Sequence, residues 1–129
     1  MDSSSVSEAK MTAEEKEEFG EDAVAVSKMN LDEVDRAVCD GETKGFLKVI
    51  YKKRGGKILG ATIMAPCAGE LISEIMVAMK AGMSFPNLAK AIHPYPSYAI
   101  ALQMMASEAY YEEVGKYRGI YDFLKRLGL

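Results

Sequence analysis

Two apolar segments joined by a pair of glycines constrain the fold more than any other feature of this sequence. The segments "GFLKVIYKK" and "ILGATIMAP" are rich in β-branched or aromatic residues, and "RGGK", residues 54–57, lies between them. The glycine pair can adopt the positive φ angles that a tight hairpin turn requires. Lys48 and Lys52 interrupt the first apolar row, which is typical of a sheet with one buried face and one mixed face. The sequence therefore predicts an antiparallel β-hairpin.

The segments around this hairpin predict one more strand and several helices. Residues 23–29 alternate as a strand does, and residues 31–38 indicate a helical turn. After Pro66 the apolar residues recur with a period near 3.6, which is typical of a helix. The predicted helices after the hairpin run from Pro66 to Gly82, over 85–92, from Ser97 to about Glu113 with an end at Gly115, and over 119–129.

The order of these elements indicates the fold class and the domain organisation. Strands come before most of the helices, so we expect an α+β domain in which helices cover an antiparallel sheet. Residues 1–10 are Ser-rich and are expected to be a flexible N-terminal segment. Residues 12–15 match a capping box that opens a short acidic helix, and Gly20 ends it. Residues 11–129 are therefore expected to form a single domain, as a chain of 129 residues allows.

The charge and hydropathy of the chain exclude some classes of function. The net charge is -3, and Lys and Arg are not clustered as phosphate-backbone binding requires, so we expect no nucleic-acid partner. The basic residues at 52–57 are expected to form a solvated hairpin tip. No apolar run approaches the roughly 20 residues of a membrane span. We expect a soluble, intracellular protein in the cytoplasm or in an organelle.

The two cysteines do not form a metal-binding or dithiol pattern. Cys39 and Cys67 belong to no CxxC pair, so neither a zinc site nor a redox disulfide is predicted. The simplest interpretation is that both are structural. A reactive thiol is the alternative, chiefly at Cys67, because a helix is predicted to begin just after it.

The sequence also lacks the motifs of self-sufficient catalysis. It contains no GxGxxG, no phosphate-binding loop, no HExxH and no GxSxG. Its one histidine, His93, lies in "AIHPYPSYAIAL", where a loop is predicted to lead into a helix. A histidine in such a place is more often a packed or capping residue than an acid–base catalyst.

Several motifs in a fixed order give the chain a resemblance to a known family. The stretches "DGETKGF", "KILGATIMAP", "AGELISE" and "IHPYP" resemble, in order and spacing, the C-terminal dimerisation domain of the pyridine nucleotide-disulfide oxidoreductases, above all the mercuric-reductase-like flavoproteins. The resemblance covers residues 32–97 and extends more loosely to nearly the whole chain. It implies that the FAD- and NAD(P)H-binding domains, which precede this domain in the family, are absent from the chain.

The resemblance also implies roles for the residues of the "HPYPS" motif. In the family, a histidine before the motif proline faces the flavin and redox disulfide of the opposite subunit, and a glutamate orients it. Tyr95 occupies the position of that histidine, and Ile100 occupies the position of the glutamate. His93 lies two places before the catalytic position and is interpreted as structural. Pro94, Pro96 and Ser97 complete the motif, and a cis Tyr95-Pro96 bond is expected.

This pair of substitutions predicts a site without acid–base chemistry. A Tyr95 phenol without a base beside it has a pKa of about 10 and is a poor acid–base group at neutral pH. An isoleucine at position 100 can neither cap Ser97 nor polarise the phenol. The broad stripes of methionine on the predicted helices suggest instead a self-complementary apolar interface. The candidate interface residues are Met76, Met79, Met83, Met104 and Met105.

Three functional hypotheses remain open at this point. The first is a homodimerisation module that is not catalytic alone and holds no cofactor. The second is a pseudoenzyme that uses the same surface to join a larger assembly. The third is the C-terminal part of an active flavoenzyme, in which Tyr95 faces the redox site of a partner subunit. No metal is predicted in any of them.

Overall fold

The computed structural model describes residues 23–128, which form a three-stranded antiparallel sheet and a set of helices. The strands are β1 (Val24–Asn30), β2 (Phe46–Lys52) and β3 (Ile58–Met64), and they lie in the order β1-β2-β3. This arrangement confirms the predicted α+β class, the first strand and the hairpin. The N-terminal segment and the helix predicted before Gly20 lie outside the described residues.

The hairpin turn has the backbone that its glycine pair predicts. Gly55 and Gly56 adopt φ angles of 83° and 71°, and Gly56 donates a hydrogen bond back to the carbonyl of Lys52 at 3.1 Å. Glycine at position 56 is also needed for space, because a Cβ there would lie 2.6 Å from Cδ of Pro86. The basic residues around this turn are exposed, which agrees with a solvated tip.

Helices fill the connections and cover the sheet. A 3-10 helix, Leu31–Glu33, and the short helix α1, Asp35–Asp40, connect β1 to β2. Helix α2, Ala68–Lys80, follows β3 and packs against it. Gly82, with a φ of 70°, lies just beyond α2, as predicted. The segment predicted as a short helix over 85–92 is a 3-10 helix, Pro86–Lys90.

The last helix differs from the prediction. Helix α3, Ile100–Arg126, is one continuous helix of 27 residues, so the predicted end at Gly115 and the separate helix from residue 119 are both wrong. A glycine in a helix interior costs about 1 kcal/mol relative to alanine, but it leaves the backbone hydrogen bonds intact. Good helix formers such as Glu113 and Lys116 flank Gly115, and the helix continues through it.

The core lies between the sheet and helices α2 and α3. Its fully buried large side chains come from the strands, the helices and the connections between them: Leu31, Val34, Leu47, Val49, Ile75, Phe85, Leu102 and Met105. The burial of Met105 corrects the predicted interface, because a side chain with 0% exposure is part of the core. Its neighbour Met104 is 43% exposed. A helical face can switch from core to surface within one residue, since neighbours point 100° apart.

None of the helices within residues 23–128 is long and apolar enough to cross a membrane.

Candidate functional site

The loop between the second 3-10 helix and α3 carries the "HPYPS" motif, and His93 fixes it to two helices. The ring Nε2 of His93 forms an ion pair with Oε1 of Glu74 on α2. Its ring Nδ1 lies 2.8 Å from the carbonyl oxygen of Ala91. Its backbone N–H donates to Oε1 of Gln103 on α3 at 2.9 Å. His93 thus links the loop, α2 and α3 through a side chain that is only 8% exposed.

These contacts favour the charged form of the imidazole. A carbonyl oxygen and a carboxylate both accept hydrogen bonds, so an imidazolium with an N–H on each ring nitrogen satisfies the two contacts at once. Burial lowers the pKa of His93, but the hydrogen bonds with Glu74, Ala91 and Gln103 outweigh it, and the net pKa is raised above its ordinary value of 6.5. The side chain is a charged cross-link rather than a free base facing solvent.

Tyr95, which the sequence resemblance assigns to the position of a catalytic histidine, has a carboxylate partner that the sequence did not reveal. Its side chain is 66% exposed, and its hydroxyl donates to Oδ2 of Asp35 on α1 at 2.6 Å. That hydrogen bond raises the pKa of the Tyr95 phenol. The expectation that Tyr95 stands alone is therefore wrong. Because the two residues are 60 positions apart, no local motif could have paired them.

A second tyrosine repeats this arrangement beside the first. The Tyr98 hydroxyl donates to Oδ2 of Asp40 at 2.9 Å, and Nε of Arg36 donates to the same oxygen at 3.0 Å. The hydrogen bonds from Arg36 and Tyr98 lower the pKa of Asp40. Desolvation and the bond to Asp40 raise the pKa of Tyr98 to about 12. Both phenols stay protonated at neutral pH and act as hydrogen-bond donors.

The motif residues after Tyr95 form the turn into α3. The Tyr95-Pro96 peptide bond is cis, as expected. The Ser97 hydroxyl donates to the carbonyl of Pro94 at 2.5 Å and accepts from the N–H of Ile100 at 3.2 Å. The Ser97 hydroxyl therefore binds the backbone N–H of the first residue of α3, which is present whatever the side chain at position 100. Isoleucine has no polar atom with which to return that bond to Ser97, so only one half of a capping box can form.

Both cysteines are exposed free thiols, which does not fit the interpretation of both as packed structural residues. Cys67 precedes α2 with a φ of 57° and lines an open groove of about 590 Å³ with Arg36, Pro96 and Tyr98. No group of three or more His, Cys, Asp or Glu side chains within residues 23–128 could hold a metal ion.

Helix α2 exposes an apolar surface beside its buried one. Leu71, Ile75 and Ala78 face the core, whereas Met76 and Val77 are 62% and 68% exposed. Met79 and Met83, at the end of the helix and just beyond it, are also exposed. We call Met76, Val77, Met79 and Met83 the α2 surface. Exposed apolar side chains grouped in this way are more typical of interaction surfaces than of the rest of a protein surface.

The comparison with known families decides the class of this domain. The family model of the pyridine nucleotide-disulphide oxidoreductase dimerisation domain matches residues 5–106. The chain belongs to this dimerisation-domain family. The fold resemblance inferred from the four motifs is thereby confirmed, together with the function of a dimerisation domain.

Relatives of this dimerisation domain are flavoprotein reductases. The chain is 34% identical over 88 residues, 68% of its length, to a mercuric reductase of Streptomyces lividans. It is 40% identical over 62 residues, 48% of its length, to a dihydrolipoyl dehydrogenase of Mycoplasma pneumoniae. The HOCl-induced flavoprotein disulfide reductase RclA from Escherichia coli superposes with a TM-score of 0.67 at 28% identity, covering 76% of this chain.

The dimerisation domain spans only a small part of each of these proteins. It covers 18% and 14% of the two relatives and 22% of the solved chain. Full-length members of the family are FAD- and NAD(P)H-dependent flavoproteins. The grooves beside the hairpin turn and beside Cys67 are both open and do not enclose a dinucleotide. The residues that line these two grooves therefore do not fit a bound flavin or nicotinamide.

Proposed function

We propose that this domain pairs with a second copy of itself through the α2 surface. The observation that carries the proposal is that α2 is apolar on two sides, of which residues 23–128 cover only one. Burial of Met76 and Val77 in a homodimer would remove this surface from water. Methionine suits such a contact because its flexible, polarisable side chain adapts to a facing surface. The family match supports self-association in general.

The size of the native protein tests this proposal. Light scattering after gel filtration should give the mass of an assembly of two or more chains. A Met76→Glu/Val77→Glu variant should lose this contact, because two charges would be buried in it. Val38→Glu is the matched control, since Val38 is 54% exposed on α1, outside the α2 surface. The proposal would be overturned if the Met76→Glu/Val77→Glu variant kept both the mass and the concentration dependence of association of the wild type.

A second candidate function concerns Tyr95. Its phenol is exposed on a corner that resembles the family's catalytic motif at Pro96 and Ser97, and its hydroxyl donates to the carboxylate of Asp35. In an assembly with chains that bind FAD, Tyr95 would face the redox site of a partner subunit, where its hydroxyl oxygen can accept a hydrogen bond while its proton stays on the bond to Asp35. Without such a partner the domain has no flavin to act on, and we propose that it is not catalytic alone.

A visible absorption spectrum of the purified protein separates these two candidates. A colourless assembly that stays colourless after incubation with FAD supports a pairing module. Co-purified flavin, with absorbance changed by Tyr95→Phe, supports the second candidate. Asp35→Asn is the companion variant, because it keeps the phenol and removes the carboxylate that holds it.

A further inference from the structure

Helix α3 has a second apolar surface, beyond the part of the chain that the family model matches. Residues 110–127 carry large side chains at positions separated alternately by three and four residues. The distal seam consists of Tyr110, Tyr117, Ile120, Leu124 and Leu127, with Glu113 at the one remaining position of the series. Such alternating spacing is the pattern by which one helix packs along another.

Within the described part of the chain, the distal seam is exposed. Tyr117, Ile120 and Leu127 are 64%, 55% and 59% exposed. The hairpin turn is the neighbouring element, and an open groove of about 440 Å³ lies between it and the start of the seam. The buried stripe of α3 ends at Ala109. Beyond Ala109 the helix extends past the sheet. Its apolar side chains there would be buried only by contact with another surface.

The two ends of this part of α3 carry opposite charge. Glu108, Glu112 and Glu113 form an acidic block at its start, and Lys116, Arg118 and Asp122 lie between the two ends. Lys125 and Arg126 form a basic block at the end of the helix. Within residues 23–128, the recorded ion pairs of Arg36 with Asp40 and of Glu74 with His93 involve neither block.

We propose that residues 110–127, the distal part of α3 and Leu127 just after it, pair in antiparallel orientation with the same residues of a second copy of this chain. In that orientation the acidic block of each helix lies opposite the basic block of the other, and Tyr117 packs beside Ile120 of the second copy. A parallel pair would place like charges at the same level, which is unfavourable. This contact is separate from the α2 surface and does not depend on it.

Complementary charge reversals in the full chain test this inference. Glu112→Lys/Glu113→Lys makes both blocks basic, and Lys125→Glu/Arg126→Glu makes both acidic. Each variant alone should self-associate about tenfold or more weakly than the wild type, because like charges then face each other. An equimolar mixture of the two should regain the association. All four side chains are on the helix surface, and circular dichroism checks that each variant keeps its fold.

The measurement is made in the Met76→Glu/Val77→Glu background, where the contact of the α2 surface is removed. Light scattering over a range of concentrations should then show a monomer–dimer equilibrium that depends on the α3 charges and weakens with added salt. Unchanged association in both charge variants, or no recovery in the mixture, would overturn the inference. The inference would also be overturned if the protein stayed monomeric in this background and its distal seam bound phosphatidylserine vesicles. The α2 proposal is tested separately, by comparing the association of the Met76→Glu/Val77→Glu variant with that of the wild-type chain.

Discussion

His93 and Glu74 form an ion pair across 19 residues of sequence, and this contact fixes the loop of the "HPYPS" motif to helix α2. Gln103 binds the backbone and ring of the same histidine from α3. Tyr95 and Pro96 follow two and three residues later. The only histidine of the chain therefore holds the corner on which Tyr95 is displayed, through a charge that depends on pH.

The first prediction concerns the pH dependence of stability. Because the folded pKa of His93 is raised above its unfolded value of about 6.5, its ion pair stabilises the fold fully below pH ~6.5. This contribution is lost as the pH rises through the folded pKa. His93→Gln should cost about 1–3 kcal/mol at pH ~5.5 and less at pH ~9. Urea unfolding at a fixed protein concentration measures the difference.

Glu74→Gln is the matched variant for this prediction. The amide can still accept a hydrogen bond from Nε2 of His93, but it carries no charge. It should therefore flatten the pH dependence as His93→Gln does, with a smaller loss of stability at high pH. Equal losses at pH ~5.5 and ~9 in both variants would contradict a charged cross-link.

The second prediction concerns the titration of Tyr95. The hydrogen bond to Asp35 favours the neutral phenol and raises its pKa. Asp35→Asn should therefore lower the pH at which one tyrosine of the chain ionises, as measured by ultraviolet absorbance near 295 nm. Tyr95→Phe identifies that tyrosine, because Asp35→Asn should cause no such shift in a Tyr95→Phe background. A shift that persists there would assign the effect to another residue.

The third prediction separates two neighbouring methionines. Met105 is fully buried, and Met105→Ala should lower the free energy of unfolding by about 2–4 kcal/mol through lost burial and a cavity. Met104 is 43% exposed, and Met104→Ala should cost less than about 1 kcal/mol. Urea unfolding of both variants at one protein concentration makes the comparison. Similar losses would contradict the orientation of α3 described above.

Local patterns predicted the hairpin, the first strand and the start of the helical region correctly. The Gly55-Gly56 turn and the 3.6-residue period after Pro66 depend on neighbouring residues alone, and the structure follows both. The end of α3 depends instead on competition between Gly115 and its helix-forming neighbours. The helix continues through Gly115, so the helix end predicted from this one glycine was wrong.

The candidate site was harder to predict because its contacts are distant in sequence. The motif located Tyr95, Pro96 and Ser97 within their loop, and the cis bond was expected correctly. Asp35 lies 60 residues before Tyr95, and only the packing of α1 against the loop brings it near. The spacing of apolar residues along α3 likewise could not show that Met105 is buried and Met104 is exposed. Which face of a helix is buried depends on elements that a single periodicity does not contain.

The last prediction concerns two glycines that share a positive φ but differ in their surroundings. Gly45 has a φ of 127°, and a Cβ there would lie 2.0 Å from the backbone oxygen of Met64 and 3.0 Å from Cδ1 of Leu31. Gly41 has a φ of 70° with no atom within 4 Å of such a Cβ. Gly41→Ala carries only the backbone penalty of about 1–2 kcal/mol.

Gly45→Ala should cost about 3–5 kcal/mol, because it must also displace the backbone of β3. The carbonyl of Gly45 accepts the N–H of Leu31 at 3.1 Å, so a shift of Gly45 also disturbs the start of the first 3-10 helix. Urea unfolding of the two alanine variants in parallel makes the comparison. A Gly45→Ala loss no larger than that of Gly41→Ala would show that β3 can move aside, contrary to the close packing of this edge.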